Sequence, residues 1–310
     1  MKPVVLFFAG IIFFYKGHAQ QKDSTIQVGA NVITLSEVVL DKKLDAALFI
    51  QKIKADSSFY KAFKNLRILG YTSLNDIRML NRRNEIIASL NSKTRQLRTD
   101  SCRSMEVLEE HVAGDMYDAD HQFNYYTANM YASLFFTEGM VCGETNIVGD
   151  RSLSLEGKSG MEKHKQQLKM LFFNPGKKIR GLPFMSSKTE IFGENIADDY
   201  DMSIDFGSKH GVNCVIFRQM VKEGHRDNVV IDEMTTWFDE SSYEVRARNY
   251  HLSYDALFYD FDVSMEVEMD NFEGLTVPVL LRYNGNWKAI TKKRERGVFT
   301  ATLFDFNRGN

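Results

Sequence analysis

Residues 259–270 alternate without a fault. Tyr259, Phe261, Val263, Met265, Val267 and Met269 fall on one parity, and Asp260, Asp262, Ser264, Glu266, Glu268 and Asp270 on the other. A period of two sustained this long is a β-strand with one buried face and one wet, acidic face. Such a strand exceeds the usual five or six residues, and long strands twist and curl.

The same pattern recurs nearby. Tyr200, Met202, Ile204 and Phe206 alternate with Asp201, Ser203 and Asp205, and 212–217, 229–239, 243–254 and 298–306 read as further strands. Asn284-Gly285 carries a strong hairpin signal, a type I′ turn between strands at 277–283 and 286–291. The last third is therefore expected to be a meander of long antiparallel strands. Earlier, 33–40, 68–80, 85–97 and 102–112 read as strands, while 125–136 is aromatic and fits helix or strand equally. A helical opening spans about 43–66: Leu44, Leu48, Phe49 and Ile53 make one stripe, then Asp56 and Ser57 cap a helix facing inward through Phe59, Phe63 and Leu66. A capping box at Ser159–Glu162 opens another helix that Asn174-Pro175-Gly176 closes. The fold class expected is α+β: a long curved antiparallel sheet with a few helices packed on one face.

Residues 1–19 have the three parts of a secretory leader. Lys2 is the basic region, 4–15 is a 12-residue apolar run, and Gly17 and Ala19 stand at −3 and −1 before Gln20. The run is shorter than the roughly 20 residues a helix needs to cross a bilayer, and no later stretch reaches 18 apolar residues. Residues 20–310 are expected to form one exported domain without a transmembrane helix, in the periplasm or at the periplasmic face of an outer membrane. Export permits disulfides. Of Cys102, Cys142 and Cys214, the pair Cys102–Cys142 encloses the shorter stretch and is preferred, with three unpaired thiols as the alternative; Cys214 lies in an apolar strand and reads as a small core residue.

Motifs for chemistry are weak. Ser152–Ser159, SLSLEGKS, lacks the first glycine of a phosphate loop. Asp115, Asp118, Asp120 and His121 lack the glycine and closing glutamate of a calcium loop. There is no CxxC, HExxH or GxSxG, and the carboxylates follow strand alternation. No metal, cofactor or catalytic residue is assigned, and the expectation is a non-enzyme. With 39 basic and 41 acidic residues, the net charge of −2 gives no ground for a nucleic-acid partner. The basic residues Lys288, Lys292, Lys293, Arg294 and Arg296 are expected to face acidic neighbours across the sheet.

Several stretches resemble a group of exported Bacteroidetes proteins labelled carboxypeptidase-like regulatory domain proteins: ITLSEVVL at 33–40, FYKAFKNLRILGYTSLNDIRML at 59–80, ASLFFTEGMVCGETNIVG at 132–149, EKHKQQLKMLFFNPGKKI at 162–179, and RYNGNWK with KKRERGVFTATLFDF within 282–306. TTWFDESSYEV at 235–245, together with the meander, resembles the LolA/LolB-like lipoprotein-carrier fold. That resemblance implies a curved sheet wrapping helices around an apolar cavity. The expected role is an exported envelope binding or maintenance protein, with lipid or an envelope protein as partner. Trp237, Phe261, Met265 and Met269 are the candidate cavity residues, against which stands a plain core. The alternatives are a small outer-membrane β-barrel, whose alternating strands would be similar, and an exported hydrolase whose site has no recognisable motif.

Overall fold

The computed structural model describes residues 24–29, 31–148, 169–179, 185–193, 196–255, 259–289 and 293–309. Its strands are β1 (Ser24–Val28), β2 (Asn31–Leu35), β3 (Gly70–Leu80), β4 (Ile86–Thr99), β5 (Cys102–Gly114), β6 (Val141–Cys142), β7 (Tyr200–Lys209), β8 (Val212–Val221), β9 (Ile231–Asp239), β10 (Val245–Asp255), β11 (Tyr259–Phe272), β12 (Leu275–Ala289) and β13 (Glu295–Asn307). They form one sheet in the order β1-β2-β7-β8-β9-β10-β11-β12-β13-β3-β4-β5-β6. The seven strands from β7 to β13 make an unbroken meander. Pairing is antiparallel except between β2 and β7. β1 and β6 remain as ends, so the sheet is open. A transmembrane barrel must close to satisfy its edges, and the barrel alternative loses its ground.

β11 carries the expected alternation. Phe261, Val263, Met265, Val267 and Met269 are buried, while Asp262, Ser264 and Glu266 are exposed. The buried face meets helices α2 (Ala46–Ala55), α3 (Ser58–Asn65) and α4 (Tyr126–Phe135) and a helical turn at 169–173, within one apolar core. We call this the inner face. The ambiguous 125–136 stretch is thus a helix.

Three expectations need correction. The hairpin at Asn284-Gly285 does not exist: β12 runs straight through it, with Gly285 opposite Val263 on one side and Gly297 on the other. The reason is that alternation persists across the dipeptide, with Leu281, Tyr283 and Trp287 inside and Arg282, Asn284 and Lys288 outside. Strand 33–40 ends at Leu35; Ser36 then begins the short helix α1 (Glu37–Asp41), and Val38 and Leu40 are exposed. Helix α2 starts only after Asp45, whose carboxylate accepts the Leu48 N–H at 2.9 Å. Its buried stripe is Ala46, Phe49, Ile50 and Ile53, an i, i+3, i+4, i+7 set, and Leu48 faces out. The Ser152–Ser159 motif and the capping box at Ser159–Glu162 lie outside the described residues.

Candidate functional site

Most of the inner face is filled. Among the spaces left, two adjoin under α4. The first is an apolar crevice lined by Met130, Tyr131 and Phe135 of α4, Phe172 and Phe173 of the helical turn, and Met265, Tyr283 and Phe299 of the sheet. Its cavity volume is about 20 Å³, room for about one water. The floor is aromatic: Tyr283 and Phe299 stack across β12 and β13 with centroids 4.8 Å apart, and Tyr131 leans on Phe299 at 4.9 Å. Beside each of these rings lies a glycine. A Cβ at Gly285 would collide with the Tyr283 ring, and one at Gly297 would lie 2.9 Å from Phe299 Cζ. The two glycines face each other across the strands, which lets both rings lie down along the sheet.

The second space is about 90 Å³ and is polar on one side. Lys64, Arg67, Gln96 and Arg103 line it opposite Phe63, Phe135 and Phe173. Leu134, Phe135 and Phe173 wall both spaces. Phe173 packs on Phe63 at 4.6 Å and Phe135 at 6.1 Å. Its turn is held to the sheet by the Tyr250 hydroxyl, which donates to the Phe172 carbonyl at 2.6 Å.

The polar wall is tightly organised. Gln96 donates to the carbonyls of Leu66 and Leu69 at 2.7 and 2.6 Å and accepts from Arg103 and Thr137 at 3.0 Å each. Glu144 bridges Arg67 at 3.0 Å and Arg103 at 2.6 Å. Cys102 and Cys142 are directly opposed between β5 and β6 and joined by a disulfide. That link sets Arg103 and Glu144 side by side. Cys214 is buried and free. Lys64 is only 7 % exposed; burial first and then the nearby Arg67 charge lower its pKa, and the Glu144 carboxylate opposes them. Tyr71, also in this wall, is pushed up to about 12 by burial and stays neutral.

The four candidate cavity residues do not converge. Met265 alone among them lines the crevice. Phe261 is buried against Trp287, stacked at 5.0 Å, and borders a different cleft with Asp260 and Asp262. Met269 is buried core. Trp237 is on the opposite face: it pairs with Ile216 and Ala247, and Lys209 Nζ lies 5.2 Å from its ring centroid. Its neighbour Phe238, one parity over, is the inward residue of that strand, buried against Phe49.

The outer face has one cluster with the elements of a catalytic site, and its geometry opposes that use. His251 Nδ1 lies 2.8 Å from Asp232 and Nε2 2.9 Å from Asp262. Both nitrogens are engaged by carboxylates, and the hydrogen bond to Asp232 above all raises the imidazole to about 9. A base must be neutral and present a free nitrogen; this ring is a charged structural clamp. Arg226 completes the cluster at 3.1 Å from Asp232 and 3.0 Å from Ser253. Burial raises Asp232, but hydrogen bonds from His251 and Ser253 with the Arg226 charge bring it below the usual carboxylate range.

Asp115–His121 form a turn. Asp118 accepts the backbone N–H groups of Asp120 and Gln122 at 3.0 and 2.8 Å, and Asp115 accepts the Tyr125 hydroxyl. Among the described residues no three His, Cys, Asp or Glu side chains are placed to hold a metal. Of the basic run, Arg294 pairs with Asp260 as expected, whereas Arg296 donates to the Arg82 carbonyl at 3.4 Å and to Asn84 Oδ1 at 3.1 Å.

No protein-family model and no curated protein matches the chain. Among solved structures it is similar to a DUF1329 family protein from Desulfovibrio piger, with TM-score 0.25 and 11% identity over 81% of this chain and 93% of that one. It is similar also to a LolA superfamily protein from Nitrosomonas europaea, with TM-score 0.24 and 10% identity over 81% of this chain and 91% of that one.

Proposed function

We propose that this is an exported cell-envelope binding protein that holds a lipid or another apolar chain between its sheet and α4. The observation that carries the proposal is the apolar crevice itself, walled by methionine and aromatic side chains and separated from a polar, cation-lined space by Leu134, Phe135 and Phe173. Methionines and aromatics repack readily around a flexible occupant. At about 20 Å³ the crevice is too small for an acyl chain, so an entering chain must displace Phe173 and the C-terminal half of α4, which line both spaces.

The test is binding of N-phenyl-1-naphthylamine, an uncharged apolar fluorophore, alongside mass spectrometry of lipid extracted from the purified exported protein. Saturable binding is expected, weakened several-fold by Leu134→Gln, which sets an amide on the shared wall. Absence of both saturable binding and extracted lipid overturns the proposal. Export rests on the leader at 1–19, and intact-mass analysis is expected to find Gln20 or its pyroglutamate at the N-terminus. Retention of Met1 on the exported protein would contradict it.

A further inference from the structure

We propose that Lys64, Arg67 and Arg103 form an anion subsite at the polar end of this crevice, which takes the phosphate or carboxylate head of an amphiphile whose chain lies under α4. The inference rests on the apolar-chain reading above.

The charge balance is the first ground. Three cations line the space of about 90 Å³, and Glu144 is the carboxylate that engages two of them, Arg67 and Arg103. Lys64 is left without a hydrogen bond or ion pair among the described residues, although it is 93% removed from solvent (7 % exposed). A cation in the last turn of a helix is ordinary. A lysine this buried beside two arginines is not, because lysine is almost never fully buried unless paired, and the Glu144 carboxylate that favours its ammonium is already bonded to Arg67 and Arg103. Nothing in the core requires it there: its neighbours on the inward stripe, Phe59, Tyr60 and Phe63, are aromatic. An acidic head group would supply the missing partner.

Pre-organisation is the second ground. Gln96 ties the turn after α3 to β4 while orienting Arg103. Thr137 accepts from the same guanidinium, and the Cys102–Cys142 disulfide flanks it. Arg103 is therefore fixed before any ligand arrives, which lowers the cost of binding. The cation-lined space meets the apolar crevice at Phe173 and Phe135, so head and chain of one molecule can be served together.

The experiment is calorimetric titration of the disulfide-intact exported protein with dodecyl phosphate, dodecanol and inorganic phosphate. Dodecyl phosphate is expected to bind at least tenfold more tightly than dodecanol, since hydrogen bonds to charged groups are the stronger ones. Lys64→Met should narrow that ratio to about threefold. It removes a desolvated charge, so its melting temperature is expected to hold or rise. Glu144→Gln, which releases Arg67 and Arg103, should widen the ratio. Equal binding of dodecyl phosphate and dodecanol overturns the anion subsite and leaves the apolar-chain reading standing. Equal binding of inorganic and dodecyl phosphate, with none of dodecanol, overturns the apolar-chain reading and this head-group assignment with it, leaving a free-phosphate site. Binding of no probe overturns both.

Discussion

Glu295 of β13 caps α4 from outside the helix: its Oε2 accepts both the backbone N–H and the hydroxyl of Thr127, at 2.7 and 2.6 Å. Its other oxygen takes the Tyr126 N–H at 2.9 Å. Two of the N–H groups that a helix start leaves without partners are thereby satisfied, and a carboxylate there complements the helix dipole. The C-terminal half of α4 is tied to the sheet through the Tyr131 hydroxyl, which donates to Asn75 Oδ1 at 3.3 Å, and it walls the crevice and the cation-lined space.

Glu295→Ala is therefore expected to destabilise the protein by about 1–2 kcal/mol, the usual cost of a lost cap. Chemical denaturation measures this directly. Loosening α4 should also raise the rate of N-phenyl-1-naphthylamine uptake in stopped-flow mixing. An unchanged denaturation midpoint would mean that packing alone holds the helix.

The opposed glycines give a second prediction. Tyr283 lies over Gly285, so Gly285→Ala must push the ring off its stack with Phe299. Overpacking of this kind costs about 1–3 kcal/mol. Gly285→Asn separates strand from turn: asparagine is at home in a type I′ turn, whereas in mid-strand it should destabilise more than alanine does. Tolerance of asparagine in a thermal melt would restore the turn.

What could be read along the chain was what repeats locally. The parity of β11 placed Val263 and Met265 inside and Ser264 and Glu266 outside because successive strand residues face opposite ways. The same logic, given more weight than the dipeptide Asn284-Gly285, would have carried β12 through its glycine. Trp237, named as a cavity residue, faces outward, as the parity of Met234, Thr236 and Phe238 requires. The cation-lined space was not legible, since it joins residues 64 and 67 with 96, 103 and 144 from four parts of the chain. One local hint existed: Lys64 follows Tyr60 by one helical turn and so falls on the buried stripe of α3.

His251 gives the chain a pH dependence above neutrality. Its folded pKa of about 9 exceeds the ordinary value near 6.5. A raised histidine contributes its full stabilisation below the unfolded pKa and loses it as pH climbs through the folded one. Stability should thus fall between about pH 6.5 and 9, by about 2 kcal/mol, discounted because Asp262 is largely exposed. His251→Gln should be less stable at pH 6 and nearly equal to the parent at pH 10 in denaturant titrations. A constant difference between the two proteins across that range would remove the imidazolium clamp.

The disulfide couples stability to the polar wall. Cys102 and Cys142 stand 40 residues apart, and closing a loop of that size stabilises by about 2–4 kcal/mol. β6 has only two paired residues, Val141 and Cys142, and the segment after it is held besides by the Gly143 N–H on the Ser101 carbonyl at 3.0 Å, Asn146 on Asn65 at 2.8 Å and the Glu144 ion pairs. Cys102→Ser with Cys142→Ser should lower the melting temperature. Thiol titration of the exported protein should find one thiol, Cys214, reactive only after denaturation because it is buried. Three reactive thiols in denaturant would show that the bridge does not form, and the double variant should then melt with the parent.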